Sequence, residues 1–376
     1  MKLCAFHVDG FKNLEQVDLT ADPMYNLIVG GNAQGKTNLL ESIWTLTGCR
    51  SFRGTQERDY LGFTRENLEI TATTQTSRRE ETLSYRAVRT GEGVDRRCMH
   101  NGVACKKQDL FAHFPCVVFT PDDTDLICGG PSARRDFLNL CISQLDLSFL
   151  RVVRLYNLTL RQRNALLKQQ AQPDAQLDVW DEKLAAYGAH ILQKRVAYVE
   201  KFSAVFVPLY TKISGGRETP GIKYVATGLG KEAPRDLQAA SEEELRGLLL
   251  QRLQDTRARD AEAGFTTSGP HRDDFLLTLN GRSARLYGSQ GQKKSLAAAL
   301  KLAQASLARR NLDEAPLILL DDVLGELDRS RQAVLLEQVE GLQIFMTTCQ
   351  ESAVHGLFSG TVFQMEEGHL TPYTGA

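Results

Sequence analysis

Gly30-Gly31-Asn32-Ala33-Gln34-Gly35-Lys36-Thr37 has the residue types and spacing of a loop that wraps a phosphate chain. Glycines at 30, 31 and 35 let successive backbone N–H groups turn inward toward phosphate oxygens, and a helix N-terminus behind them adds partial positive charge. In such a loop Lys36 reaches the β and γ phosphates of ATP and Thr37 offers its hydroxyl to Mg²⁺, with Asn32, Ala33, Gln34 and Asn38 completing the cradle. A second group stands far along the chain, in Leu317-Ile318-Leu319-Leu320-Asp321-Asp322. Four apolar residues there read as a buried strand that delivers two carboxylates at its C-terminal end, where ligands bind in a parallel sheet. Asp321 is the expected Mg²⁺ ligand, and Asp322 the group that orients or deprotonates the attacking water. A third group, Ser289-Gln290-Gly291-Gln292, opens an alanine-rich helix; the Ser289 hydroxyl, the Gly291 backbone and the helix N-terminus together make an anion site. A serine-capped helix with no ligand would show the same four residues.

These groups need elements to hold them. Tyr25–Val29 is a short apolar run that predicts a buried strand before the loop, and 38–44 has helical apolar spacing after it, the context the loop requires. Residues 2–20 predict two strands around a turn at Asp9-Gly10. Leu68–Gln75 and Thr82–Arg89 alternate as a hairpin, with further strands at Arg96–His100 and Cys116–Phe119. Arg50-Ser51-Phe52-Arg53-Gly54 is a basic turn suited to a ribose or phosphate contact, or to a surface loop. After Gly129-Gly130-Pro131 the sequence turns helical, with Ser132 as expected N-cap. Leu177, Trp180, Leu184, Tyr187, Ile191, Tyr198, Phe202, Val205 and Leu209 then follow a coiled-coil-like spacing, preceded by Leu147, Leu150, Val153, Tyr156 and Leu160 on another helix. With Gln172-Pro173-Asp174 as the turn, this predicts an antiparallel helical arm. Ser241 opens a later helix with a capping box, and Phe275–Leu279 and Arg282–Leu286 flank Asn280-Gly281 as a hairpin. The expected organisation is an ATPase lobe at 1–130, the arm at 131–215, and a return to the ATPase domain at 216–376.

Charge is balanced over 376 residues at a net of −1, so a polyanion partner must be met by local clustering. The arm supplies it: 131–215 carries 12 Lys and Arg against 7 Asp and Glu, and 147–173 has five basic residues and no acidic one. Arg151, Arg154, Arg161 and Lys168 fall on one helical face, either a solvated surface or one that tracks the phosphates of DNA. Eight cysteines without a C-x-x-C pair read as reduced thiols; Cys98, His100 and Cys105 are close but lack a second ligand pair for zinc. No signal peptide or membrane-length apolar run is present, which predicts a soluble, cytoplasmic protein.

The order of Phe11-Lys12-Asn13, the glycine loop, Phe119-Thr120-Pro121-Asp122-Asp123, 130–138, Thr267–Asp274, Gly288–Gln292 and Leu320–Val323 resembles the RecF family of bacterial recombination mediators. That resemblance implies an α/β, ABC-type P-loop ATPase head like those of the SMC proteins, with the inserted antiparallel helical arm in place of a long coiled coil. It further implies ATP-dependent homodimerisation in which Ser289 and Gly291 contact the nucleotide of the second copy. Also implied are slow hydrolysis, DNA binding at gaps, and help to RecR and RecO in loading RecA during DNA repair, replication and the SOS response. By the same resemblance His271, Arg272, Asp273 and Asp274 look important, either as a structural salt-bridge cluster or in a catalytic role. Asp322 stands where many ABC proteins carry glutamate, and Thr347-Thr348 stand where many carry a switch histidine. Asp122 and Asp123 occupy the nearest context to a glutamine-bearing loop. The alternative is a soluble ABC-type transport ATPase subunit whose helical segment docks on a membrane partner. A stand-alone P-loop kinase leaves the signature loop and the arm unexplained.

Overall fold

The computed structural model describes residues 1–62, 65–91, 93–169, 174–234, 236–349 and 360–373. The chain forms two compact units, Met1–Asp123 with Leu300–Ala376, and Thr124–Ala299. The expected arm, 131–215, lies in the second unit together with 216–299.

The first unit contains two sheets. Strands β1 (Lys2–Phe11), β2 (Leu14–Thr20), β4 (Asn67–Gln75), β5 (Glu80–Thr90), β6 (Gly93–His100) and β7 (Val103–Cys105) form an antiparallel sheet in the order β2-β1-β4-β5-β6-β7. In β4, Leu68, Ile70, Ala72 and Thr74 point inward and alternate with more exposed residues, as a strand with one covered face requires. The first hairpin turns at Lys12-Asn13, not at Asp9-Gly10. Gly10 serves a different need: a Cβ there would lie 2.5 Å from Asn67 O of the neighbouring strand.

The second sheet holds β3 (Tyr25–Val29), β8 (Cys116–Phe119), β12 (Leu317–Asp321), β13 (Ile344–Thr348), β14 (Thr361–Glu366) and β15 (His369–Pro372) in the order β15-β14-β3-β13-β12-β8. All pairings are parallel except that of β15. Leu317, Ile318, Leu319 and Leu320 are wholly buried, which is why their strand is continuously apolar rather than alternating. Helices α1 (Lys36–Thr45), α2 (Lys107–His113) and α11 (Arg329–Gln338) also lie in this unit.

The second unit is mainly helical: α3 (Asp125–Cys128), α4 (Pro131–Leu145), α5 (Leu147–Leu167), α6 (Asp174–Ile213), α7 (Glu242–Asp255), α8 (Arg257–Ala263), α9 (Ala284–Tyr287) and the start of α10 (Gln290–Asn311). They accompany a small antiparallel sheet of β9 (Pro220–Val225), β10 (Asp274–Leu279) and β11 (Arg282–Ser283). Asn280 and Gly281, both at positive φ, make the expected tight turn, but the second strand ends at Ser283 where α9 begins. Gly130, not Ser132, caps α4, because Pro131 has no N–H to satisfy and fits the first helical position. Helices α5 and α6 pack antiparallel: Arg163 meets Asp181 near their connection, and Asp146 meets Lys194 at the far end. Gln172 and Pro173 of the expected turn lie outside the described residues, and Asp174 begins α6.

The seam differs from a two-helix coiled coil. Besides the expected Leu177, Leu184, Ile191, Tyr198, Phe202 and Leu209, the residues Leu192, Val196, Val199, Phe206 and Tyr210 are buried too. Helix α6 packs against α4, α7 and β9 as well as α5, so it is covered on several sides. On α5, Leu147 is exposed, and Phe149 is the buried anchor of the first turn.

Candidate nucleotide site

Strand β3 delivers the glycine loop at its C-terminal end and α1 leaves it, all within the first unit. The backbone of β14 passes so close that a Cβ on Gly30 would lie 2.3 Å from Met365 O. The loop then curls through Ala33 (φ 63°) and Gly35 (φ 113°), the latter capping α1 with no side-chain hydrogen bond to its first-turn N–H groups. Such free amides suit an anion. Gln34 anchors the loop to the β14–β15 turn: its Oε1 accepts from Glu367 N at 2.6 Å, and its backbone O from Gly368 N at 2.9 Å. Lys36 is buried, and its Nζ donates to Gly30 O and Gly31 O at 2.7 Å each. Its ammonium is thereby folded across the loop where phosphate oxygens would replace the carbonyls.

Strand β13 lies between β3 and β12, parallel to both, and so brings the two sequence-predicted halves to one sheet edge. Thr37 Oγ1 donates to Asp321 Oδ1 at 2.9 Å. Thr347 Oγ1, at the end of β13, donates to the same oxygen at 2.9 Å and accepts from Asp322 N at 3.0 Å. Asp322 sits at φ 53°, a left-handed backbone that aspartate tolerates better than bulkier residues. Burial pushes the Asp321 pKa up, while the Thr37 and Thr347 hydroxyls hold it down and Asp322 adds to the rise. A hydroxyl and a carboxylate oxygen side by side form an oxygen-only donor set that fits Mg²⁺.

Around this centre, Asn38 Nδ2 donates to Asn13 Oδ1 at 2.6 Å, and Arg53 Nη1 donates to Asn38 Oδ1 at 3.1 Å. The basic turn thus reaches the loop's flank. Cys349, just past β13, places its Sγ 2.9 Å from Asn32 Oδ1 and 3.3 Å from Lys36 Nζ. Asn13 stood in the sequence only as part of a family block with no role, and Gln34's anchoring role and Cys349 were missed. Thr347 was visible only as a departure from a histidine pattern.

In the second unit, Ser289 caps α10 reciprocally with Gln292: Gln292 N donates to Ser289 Oγ at 3.3 Å, and Ser289 N to Gln292 Oε1 at 2.7 Å. Gln292 Nε2 is tied to Glu218 Oε1 at 2.8 Å. Ser289 is exposed and Gly291 half-exposed, beside the exposed side chains of Leu286 and Tyr287.

The block from 271 to 274 acquires a structural account. Arg134 grips Asp274 through two hydrogen bonds of 2.7 and 2.8 Å, and Arg135 donates to Asp273 O at 2.9 Å. The Asp273 carboxylate accepts from the Tyr224 hydroxyl and from Gly228 N, each at 2.7 Å. His271 Nε2 is 3.1 Å from Thr266 O, which can only accept, so Nδ1 accepts from the Tyr156 hydroxyl at 2.7 Å. Burial lowers the His271 pKa to about 4, consistent with that neutral ring. Asp123 is likewise structural, its Oδ2 accepting from Thr120 N at 2.7 Å.

Arg151, Arg154, Arg161 and Lys168 are all exposed on α5 and, among the described residues, make no ion pair. The fifth basic residue of that stretch, Arg163, is wholly buried between Asp181 and Asp260 at 2.6 and 2.7 Å and belongs to the core. Among the described residues no helix is long and apolar enough to cross a membrane.

Comparison with known proteins agrees with this fold. The model of the RecF/RecN/SMC N terminal domain family matches residues 2–369. The DNA replication and repair protein RecF of Agathobacter rectalis is 35% identical over 351 residues, 92% of each chain. A solved structure of the recombination mediator protein RecF with ATP, in the RecFOR pathway, superposes with a TM-score of 0.90 at 33% identity, covering 99% of this chain and 98% of that one. The Smc head of Pyrococcus furiosus, with an extended coiled coil and bound to the C-terminal domain of ScpA, shares the fold alone, with a TM-score of 0.56 at 14% identity over 99% and 96% of the two chains.

Proposed function

The chain belongs to the RecF branch of the RecF/RecN/SMC N-terminal-domain family, and on that premise we propose that it is an ATP-dependent DNA-binding protein of recombinational repair. It dimerises on ATP, binds DNA at gaps in the cytoplasm, promotes RecA loading with RecR and RecO, and hydrolyses ATP slowly. The observation that carries the reading is the meeting of Thr37 Oγ1 and Asp321 Oδ1 at 2.9 Å beside the buried Lys36. Thr37 and Asp321 would hold Mg²⁺, which supplies charge neutralisation to the β and γ phosphates. Lys36 exchanges its loop carbonyls for those phosphates, while the N–H groups of 31–38 and the α1 N-terminus bind the remaining oxygens. Asp322 orients the water, held in place through its own N–H on Thr347. Ser289 and Gly291 present a helix N-terminus to the γ-phosphate held by a second copy, and a two-fold pair satisfies both sites.

Binding of gapped duplex DNA, followed by fluorescence anisotropy with and without ATP at several salt concentrations, tests the proposal. Each phosphate contact contributes about −0.9 to the slope of log K against log salt, so four contacts from α5 contribute up to about −3.6. Replacing Arg151, Arg154, Arg161 and Lys168 by alanine removes that share. Lys36→Ala abolishes ATP-driven dimerisation, whereas Asp322→Asn permits it and delays release. Binding that ignores both ATP and salt refutes the proposal.

A further inference from the structure

Away from the nucleotide site, the first unit gathers two imidazoles and a carboxylate from three elements. Glu81 stands near the start of β5, His100 ends β6 and His113 ends α2. Glu81 Oε2 lies 3.0 Å from His100 Nε2 and 3.7 Å from His113 Nδ1, and one ligand atom from each residue lies within 4.8 Å of the other two. A tetrahedral ion bound at about 2.0–2.1 Å spaces its donors about 3.4 Å apart, so closure needs shifts on the order of an ångström. The second carboxylate oxygen, Glu81 Oε1, accepts from Arg79 Nε at 2.9 Å, which fixes the plane of the group and leaves Oε2 to the imidazoles. The two rings lie 3.8 Å apart between centroids, inclined by 33°.

We infer that Glu81, His100 and His113 bind one divalent transition metal of the zinc class, with a fourth position open to water. Two imidazoles and a carboxylate select such ions over Mg²⁺ and Ca²⁺, which take all-oxygen sets. An ordinary Glu81–His100 ion pair accounts for one of these contacts. It does not by itself account for the second imidazole, His113, whose Nδ1 faces the same oxygen at 3.7 Å while its ring lies against that of His100. The neighbouring thiols of Cys98 and Cys105 are outside the set, which is made by one ligand atom each from Glu81, His100 and His113. The ion would staple β5 and β6 to the end of α2, three residues before β8, which pairs with the Asp321-bearing strand β12. Ligation would therefore stabilise the unit that carries the glycine loop.

The test uses the full chain, freed of metal by chelation, held in Mg²⁺ and titrated with Co²⁺ and then Zn²⁺. The expected result is one equivalent bound, a visible tetrahedral Co²⁺ spectrum with no thiolate charge-transfer band, and a raised melting temperature. His113→Gln and Glu81→Gln each weaken Zn²⁺ binding at least about ten-fold. His7→Gln, which alters a surface histidine paired with Asp18 in the same sheet, leaves it unchanged. A thiolate band in the unaltered protein overturns the inference without any variant having to fold. Affinity unchanged in both ligand variants overturns it as well.

Discussion

Thr347→Val removes one hydroxyl from the nucleotide site and keeps the side chain's shape. That hydroxyl donates to Asp321 Oδ1 at 2.9 Å and accepts from Asp322 N at 3.0 Å, so its loss strips a donor from one aspartate and an acceptor from the next. A hydrogen bond to a charged group contributes about 1.5–3 kcal/mol net. Burial already raises the Asp321 pKa, and the Thr37 and Thr347 hydroxyls oppose that rise. Deleting one of them weakens that opposition, so the pKa climbs further. The carboxylate must be ionised to hold a divalent cation, so the acid limb of Mg²⁺-dependent ATP binding moves to higher pH. Because the folded-state pKa is raised, the cost of the buried charge is present at neutral pH and disappears as pH falls through that pKa. Titrating a fluorescent ATP analogue with Mg²⁺ from about pH 3.5 to about pH 8 takes in the ordinary carboxylate range and the region above it. Thr347→Ser retains the hydroxyl and the original limb. A limb unmoved in the valine variant, or moved as far in the serine variant, refutes the idea that this hydroxyl supports the metal-bearing carboxylate.

Arg163→Met leaves Asp181 and Asp260, both fully buried, without the guanidinium between them, and should cost about 3–5 kcal/mol in urea unfolding. Asp181 keeps Arg257 at 2.6 Å, so the added change Asp260→Asn recovers part of the loss; a cost below about 1 kcal/mol would sink the account. His271 makes stability pH-dependent in a defined window. Its folded-state pKa is lowered to about 4, so the unfolded chain takes up a proton that the native state refuses, and stability falls as pH drops from about 6.5 to about 4. The full loss is about 3 kcal/mol, and His271→Gln lacks it; equal pH slopes for the two proteins in urea unfolding would count against the neutral ring.

The two halves of the nucleotide site were legible because their physical demands are local. A parallel strand buried on both faces must be continuously apolar, and Leu317–Leu320 are; a loop crossed by another backbone must carry glycine, and Gly30 is crossed by Met365. What joins the halves was not legible. Strand β13 reads as five ordinary β-prone residues, and nothing in Ile344–Thr348 states that it lies between β3 and β12. Only that placement turns Thr347 from a missing histidine into the donor that Asp321 and Asp322 share. The Asp9-Gly10 misreading has the same origin: glycine answers equally to a turn and to a neighbouring strand pressing close, and only the register with β4 separates them.

The basic stretch on α5 shows how a correct periodicity can still miscount a surface. Arg161 and Arg163 are two residues apart, so on a helix they point to different sides. The first is exposed, whereas the second turns inward to Asp181, Asp260 and Thr266. Charge counting treats the two alike, yet Arg163 cannot reach a phosphate without leaving two carboxylates uncompensated in the core. The basic residues of the 147–169 stretch that stay exposed are therefore the four at 151, 154, 161 and 168. The same distinction applies to the block at 271–274, whose polar groups are held by Arg134, Arg135, Tyr156, Tyr224 and the Thr266 carbonyl. Residues of that kind hold the second unit together, so substitutions there should act on DNA binding only through stability, while substitutions in the α5 set should act on the salt slope and leave stability nearly untouched.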